Sequence, residues 1–248
     1  MHLDRLISVL ETVAVAGRPV TAPELSQVTG LPRPTCYRLL STLAEHRLLD
    51  ADDAGYLIGE RLTRIALLGQ TDTDVCALAK PTLAEAANDL GEAVFLSRFR
   101  NQGVEIIHVE TPSDAARSFI HPGLGFRPMH ACSCSKAIAA FADEAFRNDI
   151  LTGPMRAYTD HTLQSAEQLR AEFDDIQTIG YASCVEEIEL GVSSVAAPIR
   201  IGNIGAPFSI GATGPIRRFT PERRAEIGCD LSQRAEKIAT SLQLYASG

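Results

Sequence analysis

Apolar residues at Leu3, Leu6, Ile7, Leu10 and Val13 recur at helical spacing and stop before Gly17, which predicts an amphipathic helix at the start of the chain. Thr21-Ala-Pro-Glu24 then has the spacing of a capping box, so a second, short helix should begin there, turn Leu25 and Val28 inward and end at Gly30. After Leu31-Pro-Arg-Pro34 a third helix should run to about His46, with Cys36, Leu39, Leu40 and Leu43 on its buried face and Thr35, Tyr37, Arg38 and Ser41 on the other. Extended pieces at 47–49 and 56–58 flank Asp52-Asp-Ala-Gly55, which has hairpin-turn composition.

From 60 to about 91 the pattern is helical again, with Leu62, Ile65, Leu68, Leu78, Leu83 and Leu90 among its apolar positions. The remainder changes character. Runs at 93–99, 104–109, 195–201 and 208–212 are apolar or alternating and bounded by Gly, Asn and Pro, as strands are, while 133–146, 165–178 and 221–245 read as helices. Strands interrupted by helices predict an antiparallel sheet with helices packed on it, so the fold class is α+β. The expected division is a winged helix-turn-helix over 1–59, a linker helix over 60–76 and a larger domain over 77–248.

The chain of 248 residues is long enough for one small and one medium domain. No leader-like segment or apolar run of spanning length occurs, so a cytoplasmic location away from membranes is expected. Its six cysteines should then be reduced thiols. A net charge of -8 excludes a basic coat for nucleic acid, and residues 1–60 carry five Arg and no Lys against eight Asp and Glu. Any contact with DNA must therefore come from a few placed residues.

Helix, helix, turn, helix, hairpin is the order of a winged helix-turn-helix, which presents one helix to the major groove. Arg33, Thr35, Tyr37, Arg38 and Ser41 are its candidate contacts, because Arg suits guanine edges or phosphates and hydroxyls suit phosphates. The competing reading is a helical domain for dimerisation or protein contact, with Arg38 a solvated charge.

The stretch Gly30-Leu-Pro-Arg-Pro-Thr-Cys-Tyr-Arg-Leu-Leu40, with Leu43 and a short wing behind it, resembles the recognition segment of the IclR family of transcription regulators. A second likeness lies downstream, in Gly125-Phe-Arg-Pro-Met-His130 through Lys136, Gly180-Tyr181, Glu186-Glu187, Gly191, Val195-Ala-Ala-Pro198 and Thr213-Gly-Pro215, in the family's order over nearly the whole chain. The resemblance implies a sensor domain similar to GAF and PAS-like folds, a dimer or dimer of dimers, palindromic operators, and effectors that are often small carboxylates or aromatic catabolites. Repression is the commoner mode of the family. One departure is the wing, where Asp50, Asp52 and Asp53 stand in place of basic residues, so it should add little affinity.

The same resemblance places the effector at Cys132, Ser133, Cys134, Cys184, Ser194, Gly211 and Thr213. A turn opening into the helix of Lys136 would aim free amides at an anion, and the Ser194 and Thr213 hydroxyls could complete its hydrogen bonds. Cys184 stands where an acid is common, which favours an effector with an apolar or aromatic part beside its carboxylate. Alternatively, Lys136 pairs with Glu186 or Glu187 at the domain surface and His130 caps a strand. Cys132, Cys134 and Cys184 also admit a regulator that senses zinc or thiol oxidation, although C-x-C is not the usual zinc spacing. No third residue or oxyanion motif supports catalysis by Cys134 and His130, and no glycine pattern supports a dinucleotide, so neither an enzyme nor a cofactor is expected.

Overall fold

The computed structural model describes residues 2–100, 103–114 and 119–247. The chain forms two compact units, Met1–Gly69 and Gln70–Gly248.

The first unit runs α1 (His2–Ala16), α2 (Ala22–Thr29), α3 (Arg33–Glu45), β1 (Leu49–Asp52), β2 (Gly55–Ile58) and α4 (Glu60–Gly69). Its core is Val9, Val13, Val20, Leu25, Cys36, Leu39, Leu40, Leu43 and Leu49. Leu3 and Ile7 lie outside it, because the buried stripe of α1 passes through Val9 and Val13, with Leu6 and Leu10 at its edge. Val28 is also outward, 71% exposed, since the inward line of the short α2 runs through Ala22 and Leu25. The first wing strand begins at Leu49 rather than 47, because Arg47 has a left-handed backbone (φ 56°). Asp52 Oδ1 accepts from the Ala54 and Gly55 amides at 2.8 and 3.0 Å and closes the hairpin.

The second unit contains α5 (Asp72–Leu90), β3 (Ala93–Arg100), β4 (Gly103–Glu110), β5 (Gly125–Arg127), α6 (Ser133–Ala139), α7 (Glu144–Thr152), α8 (Ala166–Ile179), β6 (Ala182–Val185), β7 (Val192–Ile199), β8 (Phe208–Pro215) and α9 (Pro221–Ser247). Two expected helices are each divided. The segment 60–91 breaks before Thr71, whose Oγ1 accepts from the Asp74 amide and starts α5. Residues 133–146 break where Asp143 caps α7 through the Phe146 amide. Both breaks carry the signature of a cap followed three residues later by its partner amide, hidden here inside apolar periodicity.

The six strands form one antiparallel sheet in the order β5-β4-β3-β8-β7-β6. Helices α5 and α9 pack on each other, α5 also on β3 and β4 and α9 on β7 and β8, while α6 packs on β6, β7 and β8 with α8 behind it. Strand side chains alternate between the two faces. Phe95, Ala182 and Ala196 share a core with Cys132 at the N-cap of α6, with Cys134 and Ala137 of α6 and with Phe173 and Ile176 of α8, which fixes the face of the sheet that α6 covers.

Candidate functional site

In the first unit the turn before α3 is tied by side chains. Ser26 Oγ donates to the Leu31 carbonyl at 2.6 Å, the Leu31 amide donates to Thr29 Oγ1 at 3.3 Å, and Gly30 takes the left-handed conformation (φ 70°) that ends α2. The capping box forms as expected, and the Thr21 amide together with Arg18 holds the Glu24 carboxyl down at about 2. With Cys36, Leu39, Leu40 and Leu43 in the core, α3 leaves Arg33, Tyr37, Arg38 and Ser41 exposed, and Thr35 half-buried. Beside them the wing shows exposed Asp50 and Asp52.

In the second unit the sheet registers bring together residues far apart in sequence. Cys184 on β6 faces Ser194 on β7, and Ser194 faces Thr213 on β8, so the three form one row across the sheet. The adjacent row on that face is Ala182, Ala196, Gly211 and Phe95, and the next is Pro198, Ser209 and Ser97. Alternation puts all three rows under α6. Ser133 Oγ of α6 lies 2.7 Å from Ser194 Oγ, and Thr213 Oγ1 donates to the Ser193 carbonyl at 3.3 Å. Gly211 is not open space: a Cβ there would meet Phe95 Cζ at 2.2 Å, so the ring of Phe95 covers it. Ser97 and Ser209, directly opposite each other and fully buried, have hydroxyls with no hydrogen-bond partner. Sequence reading missed this pair, although serines inside Phe-Leu-Ser-Arg-Phe and Pro-Phe-Ser-Ile-Gly are its only trace.

Cys132 and Cys134 bracket Ser133, and their sulfurs lie 3.3 Å apart. Burial resists ionisation of Cys134, but its side-chain contacts, the one with Cys132 first, together with the Arg127 charge outweigh it and lower this thiol below its ordinary range. Cys132, hydrogen-bonded to Cys134 in a dry site, is pushed well up. Burial, with Cys132 and Glu187 nearby, raises Cys184 to about 12. All six cysteines are free thiols. Among the described residues no group of three or more His, Cys, Asp or Glu is placed to hold a metal ion, so the zinc alternative finds no ligand set.

Lys136 does pair with Glu187, at 2.7 Å, but in the interior and not at the domain surface; Glu172 of α8, which sequence reading did not name, is its second partner at 2.6 Å. Glu186 instead accepts from the Gly191 amide. Burial opposes the Lys136 charge, yet Glu187 and Glu172 outweigh it and raise its pKa. One ammonium thus serves two carboxylates, and burial drives the deeper one, Glu187, up to about 7 despite Lys136. Glu187 Oε2 is buried without a partner. His130 caps no strand: its Nε2 lies 2.9 Å from the Arg156 carbonyl and its ring stacks near Tyr158.

A winged helix-turn-helix with an exposed polar third helix, followed by a helix-covered antiparallel sheet, is the arrangement of a DNA-binding transcription regulator. Family models agree along the chain: the IclR helix-turn-helix domain matches residues 2–53, and the bacterial transcriptional regulator IclR C-terminal domain matches residues 70–240. The chain belongs to the IclR family. It is similar to the glycerol operon regulatory protein of Streptomyces coelicolor, 29% identical over 89% of this chain and 87% of that protein. The transcriptional repressor IclR of Escherichia coli is 27% identical over 95% of this chain and 88% of its own length. The same fold is seen in an IclR homolog from Microbacterium hydrocarbonoxydans complexed with 4-hydroxybenzoate, with TM-score 0.60, 24% identity and coverage of 98% of this chain and all of that one.

Proposed function

We propose that this protein is a cytoplasmic repressor, not an enzyme, that holds a palindromic operator as a dimer or tetramer and is controlled by a small carboxylate with an apolar or aromatic part. Residues 1–59 read DNA through Arg33, Thr35, Tyr37, Arg38 and Ser41, residues 60–76 link, and residues 77–248 bind the effector. The repressor named among its relatives and the aromatic carboxylate held by the Microbacterium homolog support this reading. Ile65 and Leu68, exposed on α4 beside a half-buried Leu62, suit a contact between copies.

The observation that carries the effector assignment is the row Cys184, Ser194 and Thr213 facing Cys132, Ser133 and Cys134. Hydroxyls and thiols there offer hydrogen bonds to a carboxylate, and Phe95 offers an apolar wall. Lys136 contributes no free charge, since two acids occupy it. Recognition of the anion then falls to neutral donors.

A gel-shift titration against DNA flanking the gene, with excess nonspecific competitor at stated salt, tests the DNA half. A discrete complex resistant to competitor is expected, and diffuse binding that competitor removes would sink it. Calorimetry with a panel of small acids tests the effector half. Aromatic or branched acids should bind, and binding of only the most compact keto and hydroxy acids would reject the apolar component.

A further inference from the structure

The sulfurs of Cys132 and Cys134, both placed in the proposed effector site, lie 3.3 Å apart on either side of Ser133, a closeness that hydrogen bonding to an effector does not require. Cys132 is the N-cap of α6 and makes no side-chain capping bond, so its thiol is not committed to holding the helix. A disulfide needs the sulfurs at about 2.05 Å, a small closure from the present contact. Cys184 is a poor competitor, because nothing bonds its sulfur to either of the pair and its thiol resists ionisation. Cys134, by contrast, lies 3.3 Å from the Cys132 sulfur and also neighbours Ser135 Oγ at 4.0 Å.

We infer that Cys132 and Cys134 form a peroxide-oxidised dithiol switch at the start of α6, in which Cys134 is the attacking sulfur and Cys132 the resolving one. The Cys134 thiolate attacks one oxygen of a hydroperoxide; the O–O bond breaks, the other oxygen leaves as alcohol or water after taking a proton, and Cys134 becomes a sulfenic acid. Cys132 then attacks that sulfur, its proton goes to the departing hydroxide, and a disulfide and one water form. Two thiols lose two electrons and two protons, and the peroxide is reduced. Burial of both sulfurs restricts the oxidant to small hydroperoxides. Ser133 sits between the two cysteines and meets Ser194 of β7, so closure re-aims the hydroxyl that joins α6 to the sheet. This goes beyond the effector assignment and does not rest on it.

The test uses the full chain, reductant removed, treated with increasing hydrogen peroxide, quenched, unfolded and alkylated. The expected product is lighter by two hydrogen atoms, takes four alkyl groups where the reduced chain takes six, and carries the linkage in the peptide containing both residues. Dithiothreitol should restore six. Exposed Cys229 serves as the internal control for oxidant strength. A pair still fully alkylated when Cys229 is oxidised overturns the proposal, as does a linkage to Cys184 or over-oxidation of Cys134 without a linkage. In the natively folded Cys132→Ser variant, Cys134 should accumulate as a sulfenic acid trapped by dimedone, whereas Cys134→Ser should leave Cys132 unlabelled; equal labelling of both rejects the assigned roles. The oxidised chain should melt at a different temperature, reversibly with dithiothreitol, and an unmoved transition rejects the coupling to Ser133 and β7.

Discussion

The two units of this chain build their interiors differently. Among the described residues, no buried polar or charged side chain precedes Glu92, so the core of the first unit is purely apolar and its proposed DNA contacts stand outside on α3. The second unit buries Lys136, Glu187, Ser97, Ser133, Ser194, Ser209 and Thr213 beside its apolar cluster. DNA is too large to enclose, so its reader needs only a stiff support for an outward helix. In the proposed function a small molecule is wrapped, and the polar groups that would meet it lie inside, where each costs free energy unless partnered.

That contrast can be broken first at Lys136. Replacing it with Met strands the buried Glu187 carboxylate and the half-buried Glu172 and should destabilise the protein by about 3–5 kcal/mol, measured by urea unfolding at neutral pH. The loss should shrink when Glu187→Gln is added, and an equal loss in the double variant would show that packing, not charge, matters there.

Next comes pH. The folded-state value of Glu187, about 7, stands above its ordinary 4.5, so the native state keeps the proton that the unfolded chain releases. Its contribution is therefore full below pH 4.5 and falls by about 3 kcal/mol as pH rises through 7. Unfolding measured from pH 5 to 8 should show this decline, and Glu187→Gln should flatten it. Lys136, raised instead, loses its contribution only in alkali, outside that window.

A third test concerns the wall beside the proposed effector row. Gly211→Ala would drive a methyl into Phe95 and to 2.9 Å from the Val195 carbonyl, costing about 1–3 kcal/mol in thermal or urea unfolding. Adding Phe95→Leu should recover part of it, since the backbone contact remains.

The smallest effect is expected on the outside. Arg38→Ala should leave stability unchanged and, if Arg38 meets a guanine, weaken operator binding by at least about 1 kcal/mol in the gel-shift titration. Unchanged affinity would remove Arg38 from the interface.

Much of the first unit was legible because its information is local. The Thr21-Glu24 capping box, Gly30 as terminator and the Cys36, Leu39, Leu40 and Leu43 face all act within one or two helical turns. Where reading failed there, at Val28 and at the start of the wing, the decision depended on which neighbour an element packed against and on the unusual backbone of Arg47. The proposed effector residues were named through resemblance, and nothing in their spacing placed Cys184, Ser194 and Thr213 in one row.

By itself, then, the sequence determined the helices and hairpin of the first unit, the Thr21 cap and the Gly30 stop, the longer strands of the second unit, the α+β division and the outward face of α3, because each depends on residues a few positions apart; the caps at Thr71 and Asp143 and the short strands β5 and β6 stayed hidden. Only the tertiary structure decided that Lys136 is shared by Glu172 and Glu187, that Phe95 covers Gly211, that Ser97 and Ser209 face each other without partners, and that the sulfurs flanking Ser133 touch. The first three depend on strand register and helix packing between segments tens of residues apart. The last depends on side-chain rotamers at the first turn of a buried helix, which composition and periodicity do not encode.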